Sequence, residues 1–247
     1  MNLSWLLVAV LAAVGVVGEE ACRDGEDSLQ PLGTITYFPQ ARGRAEPIRL
    51  ILAANLIAWE ENHELDKEMA GSVALPFGQW PLWTQPSWNR PLAQTDAITR
   101  HLGRLVGWYG LEDVDSRIDE LLGGVEGLRA KHTQYMYGGS EATLEQYKEL
   151  HVSRAGVNQR NGGAHLQYLE NLLLEEDDGE WWSTGRQVTI ADAQLFDIVD
   201  LHVTLLGGEN IAASFPKLAK LHAKFASLPG IAAYLKSSMR NPPKLKP

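Results

Sequence analysis

A single cysteine, Cys22, stands in 247 residues, which excludes an internal disulfide framework and leaves only pairing between chains. Basic residues are scarce as well. There are 22 Lys and Arg against 31 Asp and Glu, a net charge of -9, and no basic run. A general nucleic-acid binder needs surplus cations to neutralise phosphates, so no nucleic-acid partner is expected. The seven histidines lack zinc-ligand spacing: His63-Glu64 is not followed by a histidine four residues on, and no metal is expected. No Asn-x-Ser/Thr sequon follows Asn2-Leu3-Ser4, so N-glycosylation beyond the leader is not expected.

Long apolar runs are missing except for one, Leu3 to Val17. At about 15 residues it falls short of the roughly 20 that span a bilayer. No Lys or Arg precedes it, and the small residues Val16, Gly18 and Ala21 offer cleavage positions. Residues 1–21 read as a secretory signal peptide, with an uncleaved membrane anchor or a plastid-type leader as alternatives. The expected location is the secretory pathway, secreted or in the ER lumen, with no stable membrane span in the mature chain. The acidic, polar stretch 22–32, closed by Pro31, reads as a linker.

What remains has the 45% apolar content of a globular protein, enough for one large or two modest domains. Thr34 to Phe38 is β-branched and aromatic, as a buried strand should be, and Gln40-Ala41 with Gly43 makes a bend. A helix follows, with Pro47 in its first turn and Ile48, Ile51, Leu52 and Leu56 at helical spacing. This places the Tyr37 hydroxyl near the positive end of a helix, where an anion is favoured. Trp59 to Leu65 suits a second strand, and Lys67 to Leu75 an irregular segment. Pro76 to Trp83 is a turn running into a strand, and its Trp80-Pro81 bond is of a type that can be held cis, turning the Trp80 backbone outward toward an extended peptide. Thr95 is a candidate cap for a helix lined by Ile98, Leu102 and Leu105.

Beyond Trp108-Tyr109-Gly110 helical periodicity takes over. Ile118, Leu121, Leu122, Val125 and Leu128 mark one long helix, Leu166, Leu169, Leu172 and Leu173 another, and Leu218, Leu221, Phe225 and Leu228 a third. Ala193 to Leu206, apolar on most sides, should be a central buried helix opened by a Thr189/Asp192 capping box. The charge run Glu175 to Glu180 reads as a solvated turn.

Several segments in this order resemble the glutathione transferases, most closely the pi and sigma classes. They are Tyr37-Phe38-Pro39 with Arg42 to Glu46, Pro76 to Pro81, Gln94 to Ile98, Arg100 to Arg104, Gly124 to Arg129, and Val188 to Asp192. The resemblance covers nearly all of Gly33 to Lys236. It implies an α/β plus all-α fold, with a thioredoxin-like glutathione-binding domain over 33–108 and a helical-bundle domain over 112–240. It further implies an enzyme with glutathione as co-substrate, detoxifying hydrophobic electrophiles or acting as a glutathione-dependent isomerase or peroxidase.

In the residues that match, Tyr37 would hold the catalytic place, donating a hydrogen bond that stabilises the glutathione thiolate. Arg44 would add positive potential, Gln79, Trp80 and Pro81 would hold the peptide backbone, and Gln94 and Thr95 the γ-glutamyl carboxylate. Asp119 falls where the family has an aspartate reaching the partner subunit's glutathione, implying a homodimer. Phe38, Gln40-Ala41 and helix residues such as Leu122 would line the electrophile pocket. The chain departs from the pattern in an extra residue at Gln40-Ala41, in Asp66 and Ser72 where the pi class places a tryptophan and a lysine, and in a lengthened hairpin over Pro86 to Pro91. These departures motivate an alternative, a non-catalytic transferase-like binding or structural protein, as among the lens crystallins.

Overall fold

The computed structural model describes residues 30–139, 142–158, 164–173 and 182–246. The leader, most of the linker and the Glu175 to Glu180 run lie outside the described residues. Strand β1, Thr34–Thr36, ends two residues earlier than expected, because Pro39-Gln40 already turns and Gln40 takes a positive φ of 54°. Tyr37 and Phe38 therefore leave the strand at its tip. A 3-10 turn at Gly43–Ala45 leads into helix α1, Glu46–Ala54, with Pro47 in its first turn, where no amide hydrogen is needed. Strand β2, Glu60–Asn62, runs parallel to β1, and is shorter than the expected 59–65. Strands β3, Leu82–Thr84, and β4, Leu92–Ala93, are antiparallel, giving a sheet ordered β2-β1-β3-β4 with Thr34 opposite both Glu60 and Thr84.

Helix α2, Thr95–Val106, buries Ile98 and Leu102 but exposes Leu105, which the periodicity had placed on the same face. The cap is Gln94 rather than Thr95; Thr95 is already the first helical residue. The rest of the described chain is helical: α3 Asp115–Tyr137, α4 Leu144–His151, α5 Leu166–Leu172, α6 Ile190–Leu206, α7 Gly208–Ser214, α8 Pro216–Ala226 and α9 Pro229–Lys236. Twelve of the 17 residues of α6 are buried, so its two faces pack on α3 and α8 while its start meets the sheet side through α1 and α2. Its capping box is present: the Asp192 carboxylate accepts the Thr189 and Ser183 amides at 2.7 and 2.8 Å.

Close packing and charge join the sheet half to the helices. A Cβ on Gly230 of α9 would strike the Ala53 carbonyl of α1, so only glycine allows this approach. Arg42, 4% exposed, donates to Asp197 and Asp200 of α6, while Glu46 accepts from Tyr234 at 3.1 Å and from Arg240 at 2.6 Å. Burial opposes ionisation of Asp200, but His222, Arg42 and Arg240 outweigh it and hold its pKa down at about 2.

Candidate active site

The site is built at the tip of β1. The Tyr37 hydroxyl accepts the backbone N–H of Arg44 at 2.9 Å, and a Cβ on Gly43 would collide with that oxygen. Gly43 also has a φ of 42°, which side-chain-bearing residues rarely adopt. Burial raises the phenol pKa, while the Arg44 amide and the Arg44, Arg49 and Arg129 charges pull the other way. The group is thus a neutral phenol at physiological pH whose own proton is left for another acceptor.

Around it lies a cavity of about 1170 Å³. Tyr37, Arg44, Gln79, Trp80, Pro81, Gln94 and Thr95, seven residues singled out from the sequence, all line it. The Trp80-Pro81 bond is cis. Phe38 meets Tyr37 and Trp80 edge to face at 5.3 and 5.4 Å, making one apolar wall. Gln94 sits at the lip with a φ of 74°, a left-handed conformation that costs a non-glycine residue about 1 kcal/mol or more. No side chain caps α2, and its start, Gln94 to Asp96, lines the cavity; uncapped amides at a helix start favour an anion. The Thr95 hydroxyl donates to the Arg44 carbonyl at 3.0 Å and keeps its lone pairs for a ligand.

Arg44 is not a free cation. Its guanidinium grips Glu126 of α3 in a two-pronged pair at 2.6 and 2.7 Å, so part of its field at Tyr37 is cancelled. Asp119 stands apart from the cavity of its own chain, held by Arg100 at 2.9 Å and by the Tyr109 hydroxyl at 3.2 Å. Asp66 and Ser72 cap local turns by accepting the Glu68 and Ala74 amides, and neither lines the cavity. Leu122 is buried in the helical core rather than in the cavity wall; the same helix presents Glu126, Arg129, His132, Thr133, Met136 and Tyr137 instead. The tail segment Pro242 to Lys244 completes the wall, tied down by Lys246, whose ammonium donates to the Gly139 and Ala142 carbonyls at 2.7 Å each. Glu126 and Arg129 fall in the Gly124 to Arg129 segment that carries the resemblance, though it assigns them no site role; His132, Thr133 and the tail carry no sequence signal, since they are brought in by contacts remote along the chain.

A small mixed sheet with a cis-proline lip, followed by an all-helical unit, with the cavity where they meet, is the glutathione transferase fold. Residues 128–238 match the family described as glutathione S-transferase, C-terminal domain. "Glutathione S-transferase P" of Caenorhabditis elegans is 34% identical over 212 residues, which is 85% of this chain and 95% of that one. "Glutathione S-transferase P 1" of Xenopus laevis is 31% identical over 220 residues, 86% of this chain and 96% of its own length. The solved pi-class glutathione S-transferase of Onchocerca volvulus superposes with a TM-score of 0.65 at 27% identity, covering 83% of this chain and 92% of that one. The chain belongs to the glutathione S-transferase family.

Proposed function

We propose that the protein is an enzyme that joins the thiolate of glutathione to electrophilic small molecules, with Tyr37 as the catalytic residue. The observation that carries this is the 2.9 Å bond from the Arg44 amide to the Tyr37 oxygen. An oxygen occupied in this way directs its own proton to a second acceptor, and a thiolate beside it is stabilised without the phenol ionising. The need is physical: a thiol of pKa near 8.5 is only a few per cent ionised at pH 7, and the anion is the nucleophile. In this reading the α2 amides with Gln94 and Thr95 hold the γ-glutamyl carboxylate, and Gln79 and the Trp80-Pro81 backbone hold the middle of the peptide. Arg44 lends positive potential. The apolar wall of Phe38, Met136 and Leu201 receives the electrophile.

The finer readings are a homodimer, a place in detoxification and a secretory location. The dimer is supported by Asp119, which is exposed and outside its own cavity, and by Met69, Val73 and Phe77, three exposed apolar side chains on the segment before the Trp80 lip. The location rests on the apolar leader alone. Calorimetric titration of glutathione into the full chain tests the function. Binding in the micromolar to low millimolar range, with turnover of a standard electrophile, supports the enzyme. A folded protein that evolves no heat would mark a scaffold that has lost its ligand.

A further inference from the structure

The phenol and the bend that meets it are held by different elements. Tyr37 is rooted against β2: its amide donates to the Asn62 carbonyl at 3.0 Å, and its own carbonyl accepts from the His63 ring at 2.9 Å. The bend has no such ladder. It carries positive φ at Gln40 and Gly43, and a chain this free is ordered only by contacts from outside it. One source of them is Arg49 of α1, which is 1% exposed. Its Nη1 donates to the Ala41 carbonyl at 3.0 Å and to the Arg42 carbonyl at 3.2 Å, while its Nε and Nη2 grip Glu61 of β2 at 2.7 and 3.0 Å. A single planar group thus ties the bend to the strand that roots the phenol. The Arg42 carbonyl lies in the peptide unit just before Gly43, and the next unit carries the Arg44 amide that reaches the Tyr37 oxygen. The charge of Arg49 is shared with Glu61 and, at 3.5 Å, with Glu46, so geometry rather than field is what it has to give.

We propose that Arg49 is a positioning residue for the reaction: by clamping the Ala41 and Arg42 carbonyls it keeps the Arg44 amide on the Tyr37 oxygen, and so keeps the phenol's proton directed at the glutathione sulfur. This rests on the glutathione transferase reading of the same cavity. Arg49 does not line that cavity, so it acts through the bend and not on the ligand. With the clamp released, the unit between Gly43 and Arg44 turns freely, the hydroxyl donates elsewhere for part of the time, and the thiolate loses part of its stabilisation. Lysine cannot stand in for it. An ammonium is a compact point charge and does not reach two carbonyls on one side and both oxygens of a carboxylate on the other.

The test compares Arg49→Lys and Arg49→Gln with the wild type by two readouts. With glutathione bound, ultraviolet titration should show the thiol pKa raised by about half a unit or more in both variants, which is an about threefold smaller thiolate fraction at pH 7. The kcat/KM for an electrophile should fall by the same factor at that pH and recover toward the wild-type value near about pH 9, where a thiol ionises unaided. A mere loss of folded protein would not follow pH in this way. Without glutathione, hydrogen exchange of the Arg44 amide, followed by NMR against the amides of α6 as reporters of global opening, should quicken by about tenfold or more in both variants. A thiol pKa or an Arg44 exchange rate that stays at the wild-type value in both variants overturns the proposal, whatever becomes of stability. So does an Arg49→Lys that matches the wild type where Arg49→Gln does not, since charge alone would then suffice. If Arg49→Gln does not fold, Arg49→Lys decides; if neither folds, Glu61→Gln, which puts a donor where Arg49 needs an acceptor, decides by the same Arg44 exchange. A wild type that binds no glutathione, with the Arg44 amide still freed in the variants, would sink the transferase reading and uphold the clamp.

Discussion

The Tyr37 hydroxyl and the Arg44 amide are 2.9 Å apart, and the glycine between them is the residue whose side chain would have blocked the contact. The phenol is thereby fixed in direction as well as place. Tyr37→Phe should lower kcat/KM with glutathione at pH 7 by about tenfold or more, since the thiol returns toward its unassisted acidity. Stability should fall by only about 1 kcal/mol, the scale of leaving one amide without its acceptor. Ultraviolet titration of the bound thiolate, beside steady-state kinetics, checks this; equal turnover and equal thiol acidity in the variant would refute the role.

Glu126 holds the guanidinium of Arg44, the residue whose amide meets the Tyr37 oxygen. Glu126→Gln removes a negative charge and leaves an oxygen that still accepts from the guanidinium, so Arg44 acts on the site with its full charge. The pKa of bound glutathione should drop by about half a unit, moving the acid limb of the pH–rate profile down with it. A profile that does not move, or moves up, would mean that Arg44 is too far from sulfur to matter.

How much of this site could be read beforehand follows from the range of the contacts. Tyr37, the Gly43 bend, the Trp80-Pro81 lip and the Gln94-Thr95 helix start are made by neighbours in the chain, and local turn, proline and capping patterns announce them. Arg129 and His132 sit among the apolar positions of a helix, where period alone assigns a polar residue to solvent. They are buried because α6, the tail and the α4 aromatic Tyr147 close over them from more than ten residues away. Leu105 erred the other way, being apolar at the right spacing but on the last turn of α2. The Gln40-Ala41 bend carries a positive φ at Gln40, and the phenol at the strand tip accepts the Arg44 amide.

The buried Asp192 carboxylate accepts two amides and the Thr189 hydroxyl, at 2.8, 2.7 and 3.0 Å. Asp192→Ala leaves the Ser183 amide and the start of the central helix without partners, and should cost about 2 to 4 kcal/mol of stability in urea unfolding. Glutathione affinity of the folded fraction should be unchanged, because Asp192 does not line the cavity. A variant as stable as the wild type would show that the cap contributes nothing to α6.

His132 and His202 make the protein sensitive to mild acid. Burial, with the nearby Arg129 charge, pulls both down to about 4 from an ordinary value of 6.5. Between those values the unfolded chain takes up protons that the native state refuses, so stability falls as pH drops through this window. Each histidine would contribute a loss of up to about 3 kcal/mol once pH has fallen below its native pKa. Asp200 acts in a lower window: its native pKa of about 2 lies below the ordinary 3.8, so its contribution is present above about pH 4 and disappears toward pH 2. Urea midpoints measured near pH 7 and near pH 4.5 should therefore differ in the wild type, with the lower pH less stable. His132→Phe, which has nothing to protonate there, should reduce the difference by about the share of one histidine. A difference that His132→Phe leaves unchanged would mean that this ring accepts a proton freely in the folded protein, and so is not enclosed.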